Sequence, residues 1–326
     1  MPELTLVEAV RLALEHAMSE DDRVFIMGED VGIDGGVFRA TDGLIQRFGS
    51  RRVRDTPLAE TAIAGMAVGA AALGLRPVAE IQFTGFIYPV IDQIVNHAGR
   101  LRTRTRGRLT CPMVLRAPFG GGIHAPEHHS ESCEALFTNV PGIRVVIPSS
   151  PQRAYGLLLA AIRDDDPVIF LEPTRIYRSD KEPVEDDGVA LPLDRAFVLR
   201  EGGDLTLVSW GAMMKETLAA AVALATEGIE ADVIDVATLK PLDSATILAS
   251  VEKTGRCVIV HEAPLTGGFG AEVAARLAEK ALLSLVAPIR RVTGFDTVMP
   301  LARLERYYLP SIERILRAAR ELLAYA

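Results

Sequence analysis

Short apolar runs alternate with amphipathic stretches of helical length along the whole chain, and this alternation limits the fold more than any other feature. Val7, Val10, Leu14 and Met18 recur at helical spacing, and Val24-Phe25-Ile26-Met27 follows as a buried strand ending in Gly28-Glu29-Asp30. The same pattern predicts strands over Pro77 to Phe83, Met113 to Ala117, Arg144 to Ile147 and Val168 to Leu171, with a helix from about Gln152 to Arg163. Ile87, Ile91, Ile94 and Ala98 read as one helix face. Thr56-Pro57 reads as a helix start, a hydroxyl cap before a proline, although no capping box follows it. Ser179 to Gly188 is charged and aperiodic, and is read as a linker between domains at 1–188 and 189–326. Beyond it, strands are expected over Leu205 to Trp210, Ala231 to Val236, Cys257 to His261 and Ile289 to Val292. Helices are expected over Met213 to Glu227, Ser244 to Lys253, Ala271 to Leu283 and Ser311 to Leu323. Strands joined by helices of this length imply parallel sheets covered on both faces, so the fold class is α/β in two domains.

The length of 326 residues also suits two domains. With 35 basic and 43 acidic side chains the formal charge is −8, which argues against a nucleic-acid partner. The alternating arginines Arg100, Arg102, Arg104, Arg106 and Arg108 therefore read as a solvated or partner-facing ridge. Cys111, Cys133 and Cys257 are too few and too scattered for a disulfide framework or a zinc site, and read as buried small hydrophobes in a reducing compartment. The opening MPELTLVEAV has no basic segment before an apolar core, and the longest small-residue stretch, Ala62 to Leu75, is too short for a membrane span. A soluble, cytoplasmic protein with no membrane partner is the expectation.

Few residues invite chemistry. Three of six histidines lie in GGGIHAPEHHSES, Gly120 to Ser132, a loop by its glycines and proline. His124, Glu127, His128 and His129 offer nitrogens and an oxygen, but not at the spacing of a helical zinc motif. An acid–base role for one histidine and a solvated loop both remain open. Glu60 stands at the start of an Ala/Gly-rich helix whose Ala62, Gly65, Gly69 and Ala72 form a face that another helix can approach closely. Its carboxylate either complements the helix dipole or shares a proton with a ligand nitrogen. Gly267-Gly268-Phe269-Gly270 has the wrong spacing for a dinucleotide fingerprint. Asp164-Asp165-Asp166, just before a strand, is either solvated or a cation site.

Several segments taken together resemble one family. FIMGEDVG (25–32), RVRDTPLAETAIAGMAVGAAALGLRPVAEIQF (52–83), DQIVN (92–96), the histidine loop, PGIRVVIPSSP (141–151), AAIRDDDPVIFLEP (160–173) and TGFDTVMP (293–300) are similar to the β subunit of the E1 component of 2-oxo acid dehydrogenase complexes, of the pyruvate and branched-chain type. The resemblance runs end to end. It implies a transketolase-like pyrimidine-binding domain, then a transketolase C-terminal domain. It implies thiamine diphosphate as cofactor, with Glu60 paired to the aminopyrimidine N1′ and with Gln82 and Phe86 lining that ring. Phe86 stands where branched-chain enzymes usually have Tyr.

The catalytic histidine implied is His129, before Ser130-Glu131, with His128 as the rival; Glu131 departs from the family and is expected to raise the imidazole pKa. A potassium site is implied at Met113, Ala161, Ile162, Asp164 and Asp166, the last in place of a usual Asn. The family holds Mg²⁺ and the diphosphate at a Gly-Asp-Gly segment, which this chain lacks; Gly203-Asp204-Leu205 is the nearest. The resemblance thus implies an E1 α subunit that supplies this half, in an α2β2 assembly. It further implies oxidative decarboxylation of a 2-oxo acid, acyl transfer to the E2 lipoyl group, and contact with E2 lipoyl and subunit-binding domains. Acetoin dehydrogenase E1 β and a non-catalytic subunit of the same fold are the alternatives.

Overall fold

A computed structural model describes residues 1–325. The chain divides into two units, one of Met1–Phe119 with Leu136–Leu193, the other of Gly120–Ala135 with Asp194 onward.

The first unit is built on a sheet whose central strands are buried on both faces, as their continuous apolar runs require. Six strands run parallel in the order Arg144–Val146, Val168–Pro173, Val114–Phe119, Arg76–Glu80, Val24–Gly28 and Val53–Asp55. Parallel neighbours need crossovers, and helices supply them. The Leu6–Glu20 helix starts at a capping box: the Glu8 N–H donates to Thr5 Oγ1 while the Thr5 N–H donates to Glu8. It buries Leu6, Val10, Leu14 and Met18 and packs on the Pro151–Arg163 helix, in which Leu158 and Ile162 are buried. Full burial of Leu14 or Leu158 contributes roughly 2 kcal/mol each.

Two local expectations need correction. Thr56-Pro57 does not start the small-residue helix, which begins at Glu60 after Ala59 with no side-chain cap. The Thr56 N–H instead donates to Gly28 O, holding the pair in the turn that leaves the edge strand. The apolar face from Ile87 to Ala98 is not one α-helix but a 3₁₀ turn Tyr88–Val90, a π turn Gln93–His97 and a 3₁₀ turn Ala98–Arg100. Pro89 in the first turn cannot donate to a helical ladder, and the π turn shifts the faces out of a regular 3.6 period.

The polar segment 179–188 is tied to this unit. Glu182–Pro183 pairs antiparallel with Glu3–Leu4, Glu182 accepts from the Gln152 N–H, and Tyr155 Oη donates to Asp186 at 2.7 Å.

The second unit has a five-stranded sheet ordered Arg290–Val292, Cys257–Val260, Leu205–Ser209, Ala231–Asp235 and Phe197–Arg200. The first four strands are parallel, but the Phe197–Arg200 edge is antiparallel, which the wholly parallel expectation missed. A single strand entering the unit can pair along an edge without a crossover helix. The Ser244–Thr254 helix is capped by Asp243 and ended by Gly255 at φ 70°, a left-handed C-terminal stop. Short helices Leu44–Phe48, Glu134–Thr138 and Ala302–Tyr308 escaped the periodicity, each too short to show it. No helix among the described residues is long and apolar enough to cross a membrane.

All three cysteines are free and buried; burial pushes the Cys111 and Cys257 thiols up to about 12 and Cys133 higher still. Thiolate is the reactive form, so a thiol-specific disulfide reagent should titrate none of them in the native protein and all of them in denaturant. Rapid labelling of the native protein would contradict this burial.

Candidate active site

In open parallel sheets the carboxyl ends of the strands form the ligand crevice. In the first unit Glu29, Glu60 and Gln82 all follow such ends, those of the Val24–Gly28, Val53–Asp55 and Arg76–Glu80 strands. Glu60 is the first residue of its helix, where unpaired backbone N–H groups favour a carboxylate. Thr61 Oγ1 donates to Pro89 O at 3.0 Å and ties that helix start to the Tyr88–Val90 turn. Gln82 Nε2 donates to Asp30 Oδ2 at 3.1 Å. Phe86 is half-buried and lies edge-on to Phe83 at 6.0 Å, which continues to Phe38 at 5.4 Å.

Glu29 stands beside the Val24–Gly28 strand end in an unusual environment. It is buried, its Oε1 has no hydrogen-bond partner, and burial, then the charges of Glu60 and Asp30, raise its pKa. A buried carboxyl that holds its proton more tightly than usual, within reach of a second carboxylate's charge, is an environment for a basic heterocycle. The sequence held Glu29 in plain view in Gly28-Glu29-Asp30, directly after a buried strand, but gave it no role.

Beneath this edge lies a group that periodicity could not show. Arg116, fully buried, donates Nε and Nη2 to Glu172 at 2.6 and 2.8 Å and Nη1 to Glu80 at 2.8 Å. Tyr177 Oη adds a 2.6 Å bond to Glu172. Burial raises the Glu80 carboxyl against the pull of Arg116. The cluster pins three adjacent strands two residues before Gln82. Glu80 and Arg116 sat inside predicted strands and Glu172 just past the end of another, where a sequence reading assigns no partner.

His129 belongs to the second unit. Its loop closes on itself, the Gly120 N–H donating to Glu131 O at 3.0 Å, and His129 ends the 3₁₀ turn Glu127–His129. His128 and His129 have ring centroids 4.1 Å apart. Burial, then the neighbouring His128, lower the His129 pKa, and Glu127 opposes them. The expected upward shift from Glu131 is thus corrected in sign and in source. Just past the loop, buried Glu134 accepts from Trp210 Nε1 at 3.3 Å, and burial with the nearby Glu262 charge pushes its pKa up to about 7.

The residues expected to hold potassium gather at the other edge of the first sheet. Met113 precedes the Val114–Phe119 strand, while Ala161, Ile162, Asp164 and Asp166 precede Val168–Pro173. Guanidinium groups already serve this edge. Arg76 Nη1 donates to the carbonyls of Ile162 and Asp164 at 3.0 and 2.9 Å. Arg144 meets the Asp164 carboxylate and Arg102 the Asp166 carboxylate, each at 2.7 Å. Arg102, one of the alternating arginines, is therefore an ion-pair partner. Met113 O accepts from the Val168 N–H. Four of the five expected residues thus already have partners for their oxygens, and no cluster of three or more His, Cys, Asp or Glu side chains that could hold a metal occurs among the described residues.

Residues 2–180 match the transketolase pyrimidine-binding domain family and residues 194–315 the transketolase C-terminal domain family. The sequence is 48% identical over 325 residues to the pyruvate dehydrogenase E1 component subunit beta of Bacillus subtilis strain 168, covering 100% of both chains. It is 50% identical over 319 residues to the protein of the same description from Acholeplasma laidlawii, covering 98% of each. A solved structure described as a split gene transketolase, inactive beta4 tetramer, superposes with a TM-score of 0.82 at 25% identity over 99% of both chains. Matched from end to end at this level, the chain belongs to the transketolase-like family of 2-oxo acid dehydrogenase E1 β subunits.

Proposed function

We propose that this chain is the β half of a thiamine-diphosphate-dependent E1 enzyme that oxidatively decarboxylates pyruvate, with branched-chain 2-oxo acids as the next substrates to test. The observation that carries the reading is that Glu29 and Glu60, whose charges interact, stand at the carboxyl edge of a parallel sheet, with Gln82 and the aromatic Phe86 following the neighbouring strand. When bound, thiamine diphosphate supplies the carbon nucleophile and the electron sink for decarboxylation. The chain's own residues do the rest. Glu60 exchanges a proton with the aminopyrimidine N1′, Phe86 offers an apolar wall to that ring, and Gln82 orients its polar edge. His129 supplies a proton where the acyl group passes to the lipoyl group of E2. No step is routed through potassium, because the Ile162, Asp164 and Asp166 oxygens expected to bind it already face arginines.

An E1 α subunit completes the reading, in an α2β2 assembly that engages the lipoyl and subunit-binding domains of E2. Two features support it. The chain has no Gly-Asp-Gly segment for Mg²⁺ and the diphosphate. On the small-residue helix Glu60–Ala72, a Cβ built at Gly69 would meet nothing within 4 Å, and Leu73 just past its end is 86% exposed. The Gly69 end of its face is thus open to another helix. Buried free thiols suit a reducing cytoplasm.

Calorimetry on the single chain should show thiamine diphosphate binding too weak to measure at micromolar concentration, with or without Mg²⁺. Co-expression with an E1 α chain should restore it and allow a screen of pyruvate, branched-chain 2-oxo acids and acetoin. Tight binding to the single chain would overturn the shared site; turnover of acetoin alone would overturn the substrate class.

A further inference from the structure

The histidine loop is held at both ends by two carboxylates far away in sequence, neither of them in any motif above. Glu305, in the Ala302–Tyr308 helix and only 2% exposed, accepts the Gly122 N–H at 2.6 Å and the His124 N–H at 3.2 Å. Its Oε2 also lies 2.7 Å from Nδ1 of His124, whose side chain is otherwise 72% exposed. His124 sits at φ 59°, a left-handed conformation that a residue with a Cβ adopts only when its surroundings hold it there. Glu262, also buried, accepts the Gly121 N–H at 3.0 Å and Ser132 Oγ at 2.8 Å, at the two ends of the loop. The stem has no slack: a Cβ at Gly120 would come within 2.0 Å of Glu262 Oε1, and one at Gly121 within 2.3 Å of Met299 Cε.

We propose that Glu305, seconded by Glu262, is a positioning residue that fixes the backbone from which His129 projects; this rests on the acyl-transfer role of His129 given above. A loop bearing an acid–base group loses efficiency if its geometry is left to fluctuate by even about 1 Å. Backbone N–H groups bound to a buried carboxylate are among the stronger ties that a loop without regular structure can have. Four residues separate His124 from His129, and the 3₁₀ turn Glu127–His129 stiffens the end of that span. The clamp at Gly122 and His124 therefore carries over to the imidazole.

The test uses the assembled α/β enzyme carrying Glu305→Gln, His129→Ala or both, with an isolated lipoyl domain as acyl acceptor. Glutamine keeps the shape and one acceptor oxygen but loses the charge. Glu305→Gln should lower the kcat of lipoyl acylation about tenfold or more, the size of a lost hydrogen bond to a charged group. Decarboxylation coupled to an artificial electron acceptor should fall far less, and amide exchange over residues 121–130 should quicken. In the His129→Ala background Glu305→Gln should cost nothing further, because the two act as one unit. His124→Gly is the second variant; its exposed side chain makes misfolding no explanation, and it should move both readouts the same way by less. Unchanged loop exchange in Glu305→Gln would overturn the clamp. So would a looser loop with full acylation, or losses that multiply in the double variant. If His129→Ala alone loses acylation and decarboxylation equally, the role of His129 itself falls and takes the proposal with it, which the single variants show before the double is read.

Discussion

Glu60→Gln should slow exchange of the C2 proton of thiamine diphosphate in the assembled enzyme by on the order of 10²-fold or more, the usual cost of a lost acid–base group. Cofactor affinity should change much less, because glutamine preserves length and shape. The side chain starts a helix whose free N–H groups stabilise a carboxylate, and a buried second carboxyl, Glu29, lies within its electrostatic reach. Glutamine removes one of the two charges that hold the Glu29 pKa up, so Glu29 should titrate lower in the variant. That shift cannot replace the lost proton exchange at N1′, because it leaves Glu29 more fully ionised and still without Glu60 as its partner. Quenched-flow deuterium exchange read by NMR measures the rate directly. A rate equal to wild type, with cofactor bound, removes Glu60 from the chemistry.

What the sequence revealed, and what it hid, follows from the range of the interactions involved. The Val24–Gly28 strand and the Leu6–Glu20 and Pro151–Arg163 helices were legible because a buried run and a helical stripe are local patterns. The irregular turns from Tyr88 to Arg100 keep an apolar face while abandoning the α-helical ladder, so the pattern pointed to a helix that is not there. Glu60, Gln82, Phe86 and His129 came from resemblance; spacing alone left Glu60 and His129 open. Glu29 carried a local signal, an acid next to a buried strand end. Arg116 with Glu80 and Glu172, and Glu305 with Gly122 and His124, carried none. Their partners lie 36 to 183 residues apart, and only the fold brings opposite charges or a carboxylate and bare N–H groups together.

His129→Ala should abolish most lipoyl acylation while decarboxylation with an artificial acceptor falls much less. Opening the dithiolane requires a proton at the departing sulfur, and imidazole is the side chain whose titration lies nearest neutrality. On the proposed reading, decarboxylation depends on Glu60 and the cofactor and not on this ring. Burial and His128 hold the His129 pKa below its ordinary value, so most rings are neutral at neutral pH. A lowered histidine pKa means that the protonated, donating form grows only as pH falls through it. Acylation should therefore rise from mildly alkaline to mildly acidic pH while substrate decarboxylation does not follow, and His129→Ala should lose that limb. His128→Ala is the control for a neighbouring imidazole 4.1 Å away. Removing it takes away a repelling charge, so the His129 pKa should rise and the acylation limb should move to higher pH without disappearing. A large acylation defect confined to His128→Ala would transfer the proton to that ring. Equal losses of both activities in His129→Ala would make the residue a holder of substrate or cofactor, with the lipoyl proton coming from elsewhere.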